Sequence, residues 1–94
     1  MGGKKTRIHV NVRGVVQAVG FRFFTRDLAD ELNLRGFVRN MPDGSVEAEV
    51  EGPQSSVRIF AEELRIGPVS AHVTGLEIKE LPYEGLYDRF EIRY

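Results

Sequence analysis

Gly36-Phe37-Val38-Arg39-Asn40-Met41-Pro42-Asp43-Gly44-Ser45-Val46-Glu47-Ala48-Glu49-Val50 reads as two short strands around a turn. Residues 36–40 form one strand, and Val46, Ala48 and Val50 alternate with Glu47, Glu49 and Glu51 in the next. Between them Met41-Pro42-Asp43-Gly44 has turn chemistry: Pro presets its own dihedral and Gly accepts positive φ. The two strands are therefore a hairpin, and what flanks it decides the fold. Upstream, Phe24, Leu28, Ala29 and Leu32 recur at three- and four-residue steps, the spacing of one helix face. Asn33 follows, a residue that tolerates the left-handed conformation in which helices often end. Downstream, Pro53 suits a first helical turn, Val57, Phe60, Ala61 and Leu64 share a helix face, and Gly67-Pro68 ends that helix.

Further out, Ile8, Val10 and Val12 alternate with His9, Asn11 and Arg13 in a half-buried strand that Gly14 is expected to stop. A fourth strand runs from about Val69 to Glu80, with its alternation slipping near Gly75, where a bulge is expected. After the turn-rich stretch Leu81 to Asp88, Phe90, Ile92 and Tyr94 alternate as a last short strand. The order βαββαβ with a short final β predicts an α+β fold, the ferredoxin-like sandwich: a mixed, largely antiparallel sheet with two helices on one face. There the first two strands run parallel with the third between them. Their C-terminal ends share one sheet edge, which brings the loop from Gly14 to Phe21 beside Asn40.

The chain has 94 residues, room for one domain spanning 1–94, with residues 1–6 expected to be a flexible lead-in. Hydrophobic residues at 41% and charged residues at 29% give an ordinary globular balance. A net charge of −1 argues against a nucleic-acid or acidic-membrane surface, both of which need a strong basic field. Ten of the 13 cations are Arg, so a well-placed guanidinium is available for a phosphate or carboxylate. With no Cys there is no disulfide, thiolate nucleophile or Cys-ligated metal. No run of 18 apolar residues exists, and a soluble, cytoplasmic monomer is expected. Met1 to Thr6 match the N-myristoylation pattern, which is loose, and one acyl chain gives only marginal membrane binding.

The loop Gly14-Val15-Val16-Gln17-Ala18-Val19-Gly20-Phe21 joins a strand to a helix and leads into Arg22. Its glycines permit positive φ, and its N–H groups can converge where the helix dipole is positive. That is an anion cradle in outline, with a guanidinium at its lip. It lacks the Gly-Lys-[Ser/Thr] of a nucleotide loop and the G-x-G-x-x-G spacing, and a plain strand–helix connection would look similar. Asn40 shares parity with Val38 and so faces the core side at its strand's end, where an amide can satisfy the turn or orient a water. His9 and His72 sit in no metal or triad spacing and read as strand surface residues. Glu47, Glu49 and Glu51 read as a solvent face, and Asp27, Asp30 and Glu31 as the polar face of a helix. No Ser lies beside a plausible base.

Gly14-x-Val16-Gln17-Ala18-Val19-Gly20-Phe21-Arg22-x-Phe24-Thr25 resembles the first signature of the acylphosphatase family. Gly36-Phe37-Val38-Arg39-Asn40-x-x-Asp43-Gly44-x-Val46-Glu47 resembles the second, and Gly52, Gly67-Pro68 and Phe90-Glu91-Ile92-x-Tyr94 also match. The resemblance spans about residues 7 to 94. It implies the ferredoxin-like fold and hydrolysis of an acyl phosphate to a carboxylate and inorganic phosphate, without cofactor, metal or covalent phosphoenzyme. By similarity, Arg22 and the N–H groups of Gln17, Ala18, Val19, Gly20, Phe21 and Arg22 hold the phosphoryl group, and Asn40 positions the attacking water.

Two positions depart from the family pattern. Ala18 and Asn33 stand where the family usually has Gly. Ala18 is either strained at positive φ or tolerated at negative φ. The second reading is expected, since a working enzyme rarely keeps strain that one substitution removes. The alternative function is a non-catalytic binding module on the same fold, for RNA or a regulatory ligand. Arg35-Gly36-Phe37-Val38 superficially suggests an RNA-recognition motif, but the other aromatics of that motif are missing. A carbamoyl-phosphate-handling domain of a larger hydrogenase-maturation protein would share the acylphosphatase motifs, and a 94-residue chain favours the free enzyme.

Overall fold

The computed structural model describes residues 3–94. Its elements are β1 (Lys5–Val15), α1 (Phe21–Glu31), β2 (Arg35–Asn40), β3 (Val46–Pro53), α2 (Gln54–Ile66), β4 (His72–Leu81) and β5 (Phe90–Arg93). The five strands form one sheet in the order β4-β1-β3-β2-β5. β1 and β2 both pair antiparallel with β3, so they run parallel and finish at the same edge, while β5 lies parallel to β2. The fold is the ferredoxin-like α+β arrangement that the alternation and turn residues predict.

One sheet face carries Ile8, Val10, Val12, Val38, Val46, Ala48 and Val50, all buried against Ala29, Val57, Phe60 and Leu64 of the helices. Burying each of the valine, isoleucine, leucine and phenylalanine side chains contributes about 1.5–3 kcal/mol, enough to fix the register of every strand. In α1 the buried positions are Phe21, Thr25 and Ala29, with Phe24, Leu28 and, just past the helix end, Leu32 packed at the margin. The helix thus starts three residues before the apolar periodicity begins. Thr25 escapes a hydropathy pattern because its hydroxyl is satisfied locally, donating to the Phe21 carbonyl at 2.8 Å. Asn33 takes the left-handed conformation at φ 56.

Five expectations about element bounds are corrected. β1 does not stop at Gly14 but continues to Val15: the register with β4 shifts between Arg13 and Gly14, opposite Gly75 and Val73. Gly14 sits at φ +128, and a Cβ there would lie 2.1 Å from the His72 carbonyl oxygen, so glycine is needed to keep the strand going. The bulge itself falls where the alternation of β4 slips. That strand starts only at His72, and Tyr94, 93% exposed, lies beyond β5. Pro53 ends β3 and caps α2 from outside its first turn. Lys5 and Thr6 belong to β1, paired with Pro53 and Gly52, rather than to a lead-in. Residues 1 and 2, where the acylation pattern begins, lie outside the described residues.

The largest correction concerns the second sheet face. Glu49 and Glu51 are 8% and 3% exposed, because the segment between β4 and β5 folds over them. Glu51 accepts hydrogen bonds from the N–H groups of Glu84, Gly85 and Leu86 at 3.0, 2.9 and 2.7 Å. Glu49 pairs with Arg7 at 3.0 Å and accepts from the Tyr87 hydroxyl, whose ring packs on Phe37. Burial and then that bond to Glu49 push the Tyr87 phenol well above its ordinary value. Glu47 is bridged between His9 and Arg39. Although burial opposes it, hydrogen bonds from these two partners hold the Glu47 carboxyl below the usual range.

Candidate active site

The loop between β1 and α1 is pinned at both ends by buried side chains, Val16 and Phe21, while Ala18 and Gly20 face outward. Ala18 lies at φ 60 and Gly20 at φ 77, so the loop makes two left-handed turns around Val19. The expectation of a negative φ at Ala18 is overturned. Such turns aim successive N–H groups to one side as an anion-receptive concavity. No acceptor among the described residues is paired with the N–H groups of Gln17, Ala18, Val19, Gly20, Phe21 or Arg22; the first helical bond here is Phe24 N–H to the Gly20 carbonyl, 3.0 Å. No acidic side chain sits in the first turn of α1 and none caps it, so the positive end of its dipole is left uncompensated.

Val16, Ala18, Gly20, Phe21, Arg22, Phe23 and Asn40 line a cavity of about 130 Å³ at this edge. Drug-sized ligands occupy roughly 300–1,000 Å³, so this space suits a small group. The sheet topology creates the meeting: β1 delivers the loop and β2, parallel to it two strands away, delivers Asn40 at its last residue. Asn40 Oδ1 is buried without a hydrogen-bond partner, the one such side-chain atom found among the described residues. Leaving it so costs about 1–3 kcal/mol, a deficit that a bound water or ligand would remove. The Arg22 guanidinium carbon stands 4.8 Å from the centre of the Tyr94 ring, a cation–π contact that steadies it at the rim.

The β2–β3 turn follows directly on Asn40. Met41 N–H donates to the Ser45 carbonyl at 2.8 Å and Gly44 N–H to the Met41 carbonyl at 3.1 Å. The hydroxyl and N–H of Ser45 donate to Asp43, and hold its carboxyl below the ordinary value. The Gln17 amide nitrogen donates to the carbonyls of Met41 and Ser45, at 2.7 and 2.9 Å, joining loop to turn.

The residues singled out from the sequence divide accordingly. Arg22, Asn40, Ala18, Gly20 and Phe21 meet at the cavity, Val19 packs against the core, and the Gln17 side chain grips the turn. Val16, Phe23 and Tyr94 were missed as site residues. Phe23, 48% exposed and off the apolar stripe of α1, carried the signal: an aromatic on a polar helix face, next to Arg22. His9 and His72 lie elsewhere, and no group of three or more metal-ligating side chains occurs among the described residues.

Fold and cavity together define the class: a small ferredoxin-like α+β protein with unpaired N–H donors, one guanidinium and one carboxamide gathered at a sheet edge. A family model for acylphosphatase matches residues 8–92. The chain is 46% identical over 91 residues to an acylphosphatase of Syntrophotalea carbinolica, covering 97% of this chain and 99% of that one. The crystal structure of acylphosphatase from Bacillus subtilis matches with a TM-score of 0.91 at 36% identity, over 95% of this chain and 99% of that one. HypF of T. kodakarensis matches with a TM-score of 0.81 at 40% identity, over 96% of this chain but 12% of the HypF chain. The chain belongs to the acylphosphatase family. It is a hydrolase acting on acid anhydrides.

Proposed function

We propose that the chain hydrolyses the carboxyl–phosphate bond of acyl phosphates, with the phosphoryl group held by Arg22 and the N–H groups from Gln17 to Arg22. Asn40 orients the attacking water. One observation carries this reading: Asn40, whose buried Oδ1 has no hydrogen-bond partner, lines the same small cavity as Arg22 and the free end of α1. The planar guanidinium can bind two phosphoryl oxygens at once, and the N–H groups take the others. Asn40 Oδ1 accepts one water proton and so points the oxygen lone pair at phosphorus. The water oxygen forms a bond to phosphorus as the bond from phosphorus to the acyl oxygen breaks, and the carboxylate leaves with that electron pair. No side chain lining the cavity is a base, so the water proton passes to a phosphoryl oxygen, giving inorganic phosphate. A carboxylate is a good leaving group, and positioning with charge stabilisation suffices for such a reaction.

Benzoyl phosphate in the presence and absence of the purified protein tests the activity. Arg22→Lys keeps the charge but loses the two-point fork, and most turnover should vanish while the far-UV spectrum stays native. Near wild-type turnover in that variant would sink the reading. Asn40→Ala should lower kcat strongly and leave inhibition by phosphate nearly unchanged, because phosphate is held by the other groups. Lost phosphate affinity with kcat preserved would show the two roles to be reversed.

A further inference from the structure

Gln17 sits in the loop, yet its side chain is no part of the cavity wall. A carboxamide has two N–H donors, and both are spent on the β2–β3 turn, at 2.7 Å to the Met41 carbonyl and 2.9 Å to the Ser45 carbonyl. Those carbonyls close the hairpin, since each already accepts a backbone N–H of the turn. Met41 directly follows Asn40. Asn40 Oδ1 has no protein partner of its own, so its placement depends on its backbone: the pairing with Val46, and whatever holds Met41. Among the described residues, the only side chain that hydrogen-bonds Met41 is Gln17.

We infer that Gln17 is a positioning residue, its side chain clamping the end of β2 to the loop so that Asn40 is held at fixed distance from the N–H groups. The inference rests on the roles proposed above for Asn40 and the loop. It gives one residue two separate tasks: its N–H faces the anion site, and its side chain sets where the water-orienting amide stands. A misplacement of about 1 Å at a reacting centre can cost around 100-fold in rate, so a brace of this kind should register in kcat.

Gln17→Met keeps length and bulk and removes both donors. The two carbonyls retain their backbone partners, so the hairpin should persist. Turnover of benzoyl phosphate should fall about 10- to 100-fold, with the inhibition constant for phosphate changed by less than about two-fold. In an Asn40→Ala background the same substitution should lower kcat by less than about two-fold, because nothing is left to position. An equal loss in both backgrounds, or weakened phosphate binding with kcat intact, overturns the inference. Gln17→Glu, of equal length but unable to donate, should match the Met variant, and wild-type kcat in it would be equally fatal. A second measurement needs no turnover. In the wild type the Gln17 side-chain amide protons should exchange slowly with solvent deuterium, and Gln17→Met should shift the Asn40 side-chain amide resonances. Fast exchange or unmoved resonances refute the brace. If the wild type fails to hydrolyse acyl phosphates while these resonances behave as expected, the proposed function falls and the brace stands.

Discussion

At Ala18 the chain keeps a Cβ in the left-handed conformation, φ 60, between Gln17 and Val19. That conformation costs an L-residue roughly 1–2 kcal/mol, whereas glycine adopts it freely. Replacing Ala by Gly also frees the unfolded chain, which returns about 0.4–1 kcal/mol of the gain. Ala18→Gly should therefore stabilise the protein by about 0.5–1 kcal/mol, read from urea unfolding, with phosphate inhibition unchanged or slightly tighter. A less stable variant would show that the loop is not strained there. The sequence could not decide this φ, because Ala is compatible with ordinary backbone almost everywhere and only the closed loop excludes it. Arg22 and Asn40 were legible for the opposite reason: one opens a helix and the other ends a strand, and topology alone brings those two places together.

Among the elements, strands and helices were legible wherever one face meets the core. The alternation of Val46, Ala48 and Val50 and the stripe Val57, Phe60, Leu64 both record that burial. The opposite sheet face was not legible, because alternation names a face without naming its cover. Glu51 looks solvated in β3 until the segment 82–89 is laid on it and three N–H groups converge on its carboxylate. Glu51→Gln removes one acceptor oxygen and the charge that strengthens all three bonds. Unfolding stability should drop by about 1–3 kcal/mol, and the amides of Glu84, Gly85 and Leu86 should exchange faster with solvent. Unchanged exchange at these three amides would mean that the carboxylate does not anchor the segment.

For the whole molecule the ionised face makes stability depend on acid. The Glu47 carboxyl titrates below its usual range, with His9 and Arg39 facing it from β1 and β2. A depressed carboxylate contributes stability that is fully present above its unfolded pKa, about 4.3, and is lost as pH falls through its lower folded value. The gap in urea midpoint between wild type and Glu47→Gln should thus be widest near pH 7 and shrink below about pH 4. A gap that stays constant into acid would assign the loss to packing. The sheet order also has a kinetic consequence. β1 is made before the other four strands and stands inside the sheet, but its partners come late: Ile8 pairs with Val50 on one side and with Glu80 on the other. Such distant pairings place this chain among slower-folding two-state domains, on a timescale of milliseconds to seconds rather than microseconds. On the ribosome, β1 emerges long before either neighbour, and the sheet can close only once the strand Phe90–Arg93 has been synthesised.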